Sequence, residues 1–496
     1  MNYLKKNILV TWKWERMKAI SYNLTRKFNS RNNLCYAQPT PVSHAHLLKS
    51  NEVTPGLSVD VYQCRRTRLM QVISQMTFAE MNKSAHIVIV PSGSVVYMSE
   101  NIPYPFRQNT EFLYLSGFKE ANCVLILHTV LNKSPAYECT LFVPKQTAHS
   151  TRWEGLKMDL NNTKKFLGID RTMYVDDIEN FLQSFAESNN KFVLWYDYLS
   201  LPFKPIHDIM RDFMAHYNTH FSLESPRKLL HQLRVIKSSS EAELMRKTCK
   251  IAAESMREVM QFSRPLISEA HLYAKMDYEC RMRGADHLAF PPVVAGGDRA
   301  NTIHYNENNQ IINDGDMVLM DAGCECHGYS SDMARTWPVN GKFSEPQKEL
   351  YEVVLSVQEE LIKLCEKKLS LDHLFKVMCE NLGKGFQDLG LIPTTASREE
   401  VAQAAYEFCP HHVSHYLGMD VHDTNLISRG IKLLPGMVVT IEPGVYVSPN
   451  NIKVPEKYRG LCIRIEDDIL ITEDGFENLT AECPKHIDDI EKLLIL

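Results

Sequence analysis

The chain has 496 residues, about three times the ~150 residues of an ordinary domain, so one to three folded units with a sizeable core are expected. Apolar residues make up 44% and charged residues 23%, which excludes the collagen-like and disordered classes. The net charge of −5 carries no footprint for nucleic acid. No window reaches the ~18 apolar residues of a membrane span, so neither partner is expected. The 13 cysteines include no CxxC pair, which argues against a disulfide framework or a structural zinc site and for a reducing compartment.

Residues 1–50 hold nine Lys and Arg, from Lys5 to Lys49, against the single acid Glu15. On a helix Leu4, Ile8, Trp12 and Ala19 share one face, and a basic, acid-poor amphipathic start is the pattern of a mitochondrial transit segment. The expected location is the mitochondrion, with a cytoplasmic form where the leader is not used. The competing reading is a basic tail with no import role.

A globular pattern begins at residue 56. A helix is predicted over Tyr62 to Gln75 with Arg65, Arg66 and Arg68 on its wet face. Apolar runs at His86 to Val90, Cys123 to Leu127, Thr140 to Val143 and Phe192 to Tyr196 read as strands between helical stretches, giving a smaller α/β amino-terminal domain over 56–232. Ser238 to Glu241 and a capping box Ser240-x-x-Glu243 open a long helix. Further helices are predicted from Ser268 to Gly284 and from Ser344, with Pro346 in the first turn. Residues 238–490 therefore read as an α+β domain. It contains an echo: Gly315 to Gly323 and Gly436 to Gly444 are both nine residues long, Gly at each end, with Asp321 and Glu442 at the seventh place. Two related half-domains and coincidence explain it equally well.

Asp321 and Asp332 flank the polar loop Glu325-Cys-His-Gly328. A hairpin centred between Cys326 and His327 would set them opposite one another, about 5 Å apart between Cβ atoms, where like charges repel unless a cation joins them. Solvated acids on an exposed hairpin are the bland alternative. Four histidines, His411, His412, His415 and His422, fall within twelve residues. Glu442 ends the alternation Val438, Thr440, Glu442, and Glu466 shares one side of the run Cys462 to Asp468 with Arg464 and Asp468, both beside apolar neighbours; a buried carboxylate must be paired, protonated or metal-bound. Asp321, Asp332, His415, Glu442 and Glu466 together make a hard, oxygen-rich donor set. It fits two divalent cations, Mn²⁺ first with Co²⁺ or Zn²⁺ as alternatives, in a hydrolytic centre.

The order of these five residues resembles the ligand set of the metallopeptidase family that includes methionine aminopeptidase, prolidase and aminopeptidase P. His411 to Asp423, Thr440 to Gly444 and Arg464 to Asp468 resemble the aminopeptidase P and prolidase branch. Arg107 to Phe118 is similar to the amino-terminal domain of aminopeptidase P. The mitochondrial type of that branch is matched by Gln38 to Pro41, Glu52 to Leu57, Pro291 to Gly297 and Cys409 to Asp423. The resemblance implies a pita-bread catalytic domain built from two pseudo-symmetric halves. It implies an Xaa-Pro aminopeptidase acting on peptides or proteins with proline in second position, and a homodimer. It makes Asp332 and Glu466 bridging ligands and Glu442 also the proton acceptor. It gives His304 proton delivery to the leaving nitrogen, His422 the developing oxyanion, His411 the proline pocket and Arg464 ligand orientation. Ala334 stands where relatives often carry Thr, so a hydroxyl beside Asp332 is expected to be missing.

Overall fold

The structure, a computed structural model, describes residues 36–75, 85–130, 133–200 and 202–495. The transit reading of residues 1–35 lies outside the described residues. Residues 36–50 are folded. Gln38 is buried, donating from Nε2 to the carbonyl of Gly117 (2.9 Å) and accepting the N–H of Lys119 (2.7 Å). The leader expected over 1–50 therefore overlaps the folded unit from residue 36, because a count of charges is blind to uncharged contacts of this kind.

The amino-terminal domain is built on one six-stranded mixed sheet in the spatial order Phe221–Glu224, Phe192–Trp195, Ala85–Pro91, Val124–Thr129, Tyr137–Val143, Arg171–Tyr174. Four of these strands match the predicted apolar runs. The two at the edges were not foreseen, since their side chains are mostly exposed or half-buried and show no apolar run. Helix Val59–Gln75 crosses towards the second domain, which overturns one expectation. Arg68 is exposed, but Arg65 and Arg66 are buried. Arg66 donates to the carbonyls of Leu115 (3.0 Å) and Gly168 (3.0 Å), at the carboxyl ends of two helices, where a cation meets free carbonyls and the negative end of the dipole. Arg65 reaches across the domain boundary to the Tyr329 hydroxyl (2.9 Å) and Glu241 (2.9 Å).

The long helix Ser239–Phe262 opens on Ser238, whose hydroxyl accepts from the N–H of Glu241 while Glu241 reaches back to the Ser238 N–H. The capping box is thus Ser238 with Glu241, two residues before the predicted Ser240 and Glu243. Glu241 also receives the Tyr329 hydroxyl (2.9 Å). Helices Glu269–Met282 and Glu345–Leu364 start at Ser268 and Ser344 as their caps predict. The last helix, Ile487–Leu494, runs past the expected end at 490.

The echo has a structural counterpart. Gly315 and Gly436 take φ of +86° and +88°, values open to glycine, and each is followed two residues later by a strand, Met317–Asp321 and Val438–Ile441. The first pairs antiparallel with Val293–Gly296 and Ala334–Pro338, the second with Asp467–Ile471. Helices pack on these sheets in one large core. A second core is shared by the domains: Tyr62, Leu113 and Leu115 from one side join Met245, Tyr329, Leu417 and Met419 from the other.

Candidate active site

Asp321 ends the strand Met317–Asp321, and the chain returns through a hairpin whose turn is His327-Gly328, with φ of +56° and +87°. Cys326 pairs with Tyr329 and, further down, Asp321 with Ala334. The turn is thus centred one residue later than the sequence reading, and Asp332 is not the direct partner of Asp321. It lies two places before that partner, and Asp321 is still the charge that most raises its carboxyl after burial. Gly323 permits the close return: a Cβ there would lie 1.8 Å from the carbonyl oxygen of Ser331. Ala334, fully buried, faces Asp321 across the ladder. The hydroxyl expected beside Asp332 would therefore sit beside Asp321.

The other three donors come from the second half. His415 is tied to the strand Val438–Ile441, its N–H donating to Thr440 Oγ1 (3.2 Å) and its carbonyl accepting the Thr440 N–H (3.1 Å). Glu442 follows that strand, and Glu466 precedes Asp467–Ile471 with its N–H on the carbonyl of Ala334 (3.0 Å). Ligand atoms of Asp332, His415 and Glu466 lie within 4.8 Å of one another. His415 Nε2 is 3.3 Å from Asp332 and 3.7 Å from Glu442. Burial raises the Asp332 and Glu466 carboxyls well above the usual range, reinforced by their acidic neighbours. Burial also pushes Glu442 up to about 7, against the pull of His415. Asp321 Oδ1, Asp332 Oδ1 and Glu466 Oε2 are buried with no hydrogen-bond partner. Buried, unmatched carboxylate oxygens among like charges, with the His415 imidazole beside Asp332 and Glu466, fit divalent cations in softness.

Around the donors, Arg464 donates to Asp321 Oδ2 (2.7 Å) and to the Tyr446 hydroxyl (2.6 Å). That leaves the Tyr446 proton for His411 Nε2 at 2.9 Å, while His411 Nδ1 donates to the carbonyl of His412 (3.1 Å). Burial and the Arg464 charge lower His411 to about 4, so it is neutral. The His422 ring packs edge-on against His415 at 4.6 Å between centroids. Desolvation, His415 and His304 lower its pKa. His304 is exposed, in the loop after the turn Gly297–Asn301, and its charge is felt by both His411 and His422.

Several contributors were missed by the sequence reading. Tyr446 lies two register positions from Arg464, whose partner is Gly444, in the ladder of Gly444–Tyr446 with Cys462–Arg464, and its alternation with Gly444 was the available signal. Asp468 accepts the N–H of Asp332 (3.0 Å) and the thiol of Cys249 (3.1 Å). Arg335, fully buried, donates to the carbonyls of Glu466 (2.6 Å) and Cys483 (3.0 Å) and to Asp467 (2.7 Å).

Two related α+β halves meeting at acids from matched strands define a metal-dependent hydrolase of pita-bread architecture. "Metallopeptidase family M24" matches residues 243–473, and "Aminopeptidase P, N-terminal domain" matches residues 62–195. The chain is 42% identical to Xaa-Pro aminopeptidase 3 of Rattus norvegicus over 93% of its own length and 91% of the relative's. It is 32% identical to intermediate cleaving peptidase 55 of Saccharomyces cerevisiae over 92% and 88%. Zinc-substituted Escherichia coli aminopeptidase P with product superposes with a TM-score of 0.79 at 31% identity, covering 88% of this chain and 98% of that one. The chain belongs to metallopeptidase family M24, in its aminopeptidase P branch.

Proposed function

We propose that the protein is an Xaa-Pro aminopeptidase, releasing the first residue of peptides and proteins whose second residue is proline. The observation that carries this reading is the cluster of Asp332, His415 and Glu466 ligand atoms within 4.8 Å, with Glu442 and the His422 ring beside His415. The names of the relatives, Xaa-Pro aminopeptidase 3 among them, supply the substrate class. An X–Pro bond has a tertiary nitrogen without N–H and a fixed φ, so a peptidase that reads an extended strand loses a hydrogen bond and meets the ring. A dedicated site must read the ring itself.

In this reading Asp321, Asp332, His415, Glu442 and Glu466 would hold two divalent cations, Mn²⁺ by preference and Co²⁺ or Zn²⁺ as alternatives. Such a pair polarises the scissile carbonyl and acidifies a water. Glu442 takes the proton from the attacking water. His422 donates a hydrogen bond to the carbonyl oxygen as charge builds on it, and His304 delivers a proton to the proline nitrogen as the bond breaks. His411, held neutral on Tyr446, walls the proline ring, while Arg464 fixes Asp321.

The test is hydrolysis by the full chain, with Mn²⁺ and with chelator, of an X-Pro dipeptide and an X-Pro-X′ tripeptide. Metal-dependent cleavage of the tripeptide is expected. Cleavage of the dipeptide alone would make the protein a prolidase, and no cleavage with metal present would make it a binding module on the same fold. The mitochondrial reading has support from the basic start and from a relative named intermediate cleaving peptidase 55, mitochondrial, of Arabidopsis thaliana, 36% identical over 94% of its length. A reporter fused to residues 1–50 that stays diffuse in the cytosol would count against import and for the cytoplasmic form. The homodimer has support in the exposed Tyr97, Met98, Ile102 and Tyr104 of one projecting hairpin, and light scattering gives the mass that decides it.

A further inference from the structure

Between the two domains one guanidinium grips both segments that shape the site. Arg107 precedes the helix Thr110–Ser116 of the amino-terminal domain. Its Nε donates to Glu325 Oε2 at 2.6 Å, on the hairpin that begins just after Asp321. Its Nη2 donates to the carbonyl of Met419 (2.7 Å) and to Asp420 Oδ1 (3.1 Å). Its Nη1 donates to Thr110 Oγ1 (3.3 Å), and that hydroxyl donates in turn to the same Asp420 Oδ1 (2.6 Å). Met419 and Asp420 stand three and two residues before His422. The loop is held from its other sides by Ser330, whose N–H donates to the carbonyl of Gly418 (2.8 Å), and by Arg234, which binds Asp420 Oδ2 (2.9 Å) and Asp423. Among the described residues the His422 side chain makes no hydrogen bond and its ring meets His415 edge-on, so its aim is set by the backbone that carries it.

We propose that Arg107 is a positioning residue for the reaction: from the amino-terminal domain it fixes the Gly418 to Asp423 loop against the ligand hairpin, and thereby aims His422. This rests on the reading of His422 as the donor to the developing oxyanion. A planar fork can meet Glu325, Met419 and Asp420 at once, whereas a lysine ammonium is a single point on a flexible stem. The side chain of Arg107 is 40% exposed. Its loss leaves the Glu325 carboxylate, 7% exposed, with His287 at 3.6 Å as its remaining ionic neighbour, so melting temperature is measured beside activity.

The experiment is a double-mutant cycle on the full, metal-loaded chain with Arg107→Ala, Arg107→Lys, His422→Ala and the Arg107→Ala/His422→Ala pair. Arg107→Ala should lower kcat roughly tenfold, the lower range for residues that orient a catalytic group, with KM and metal content within about twofold. In the His422→Ala background the same change should cost less than about twofold, and Arg107→Lys should recover little. Equal losses in both backgrounds, a loss carried by KM or metal content, or full rescue by lysine would overturn the proposal. If Arg107→Ala does not fold, Thr110→Val removes one donor to Asp420, and its smaller loss must show the same dependence on His422. An unimpaired His422→Ala would sink the reading of His422 and this proposal with it, whereas an impaired His422→Ala with additive losses sinks the proposal alone.

Discussion

Glu466 and Asp467 are chain neighbours, both buried, and their carboxylates are treated in opposite ways. Asp467 turns to the scaffold side and is saturated: Arg335 (2.7 Å), Gln358 (2.9 Å), Lys485 (2.7 Å) and Thr480 (2.8 Å) all donate to it. Burial opposes its charge, yet Arg335 and Lys485 hold it well below the usual carboxylate range. Glu466 turns the other way, towards Asp332, Glu442 and Asp321, and keeps one buried oxygen unmatched. Equal burial thus serves two ends. A buried acid with all its donors supplied is part of the framework, and one left short among like charges is a place prepared for a cation.

The comparison breaks hardest at Asp332. Asp332→Asn should abolish hydrolysis while the far-ultraviolet spectrum stays native, because shape is kept and a ligand loses its charge. Turnover above a tenth of wild type at saturating Mn²⁺ would refute the ligand assignment. Asp467→Ala should do the reverse, costing about 3–5 kcal/mol of stability because the fully buried Arg335 is left without its acid and the half-buried Lys485 loses its ion pair. Urea denaturation of the metal-free protein measures this without reference to activity. His422→Ala should keep metal and melting temperature, keep KM within a few-fold, and lose ~10²–10³ in kcat. A variant that comes out metal-free or unfolded would make His422 a structural residue.

The smallest effect is a slope with pH. In metal-free protein Asp332, Glu442 and Glu466 bind protons more tightly folded than unfolded. Their contribution is therefore full below the ordinary carboxylate range and is lost as pH rises through it, towards about 7 for Glu442. Asp467 has the opposite sign, stabilising above that range and losing its contribution as pH falls below it. Melting temperature in chelator should thus decline from mildly acidic to neutral pH, and Mn²⁺ should flatten the decline. A decline of the same size in both would separate these acids from the cations.

Asp321, Glu442 and Glu466 were legible because each stands in a glycine-bounded or alternating apolar pattern, Asp332 because it flanks a polar loop with Asp321, and His415 because of the density of histidines around it. The hairpin register was not. A two-residue turn of this kind needs positive φ at both positions, which His327 supplies with Gly328 where Asn-Gly is the familiar signal. Arg65 and Arg66 misled for a different reason. Periodicity assigns arginine to water, and only packing within the amino-terminal domain reveals the carbonyls of Tyr114 and Leu115, and packing against the second domain the Tyr329 hydroxyl. Tyr446, Arg335, Asp468 and Arg107 were hidden likewise, since each has a partner between 18 and 313 residues away.

The apolar core shared by the domains has a calorimetric consequence. Leu113, Tyr329 and Met419 belong to one continuous interior, so neither half can melt without exposing hydrocarbon on the other, and the whole chain should give a single endotherm whose van't Hoff and calorimetric enthalpies agree. A fragment limited to the carboxy-terminal half would present that interior to water as a patch prone to self-association. The unit that must be made, inherited and evolved intact is the pair of domains.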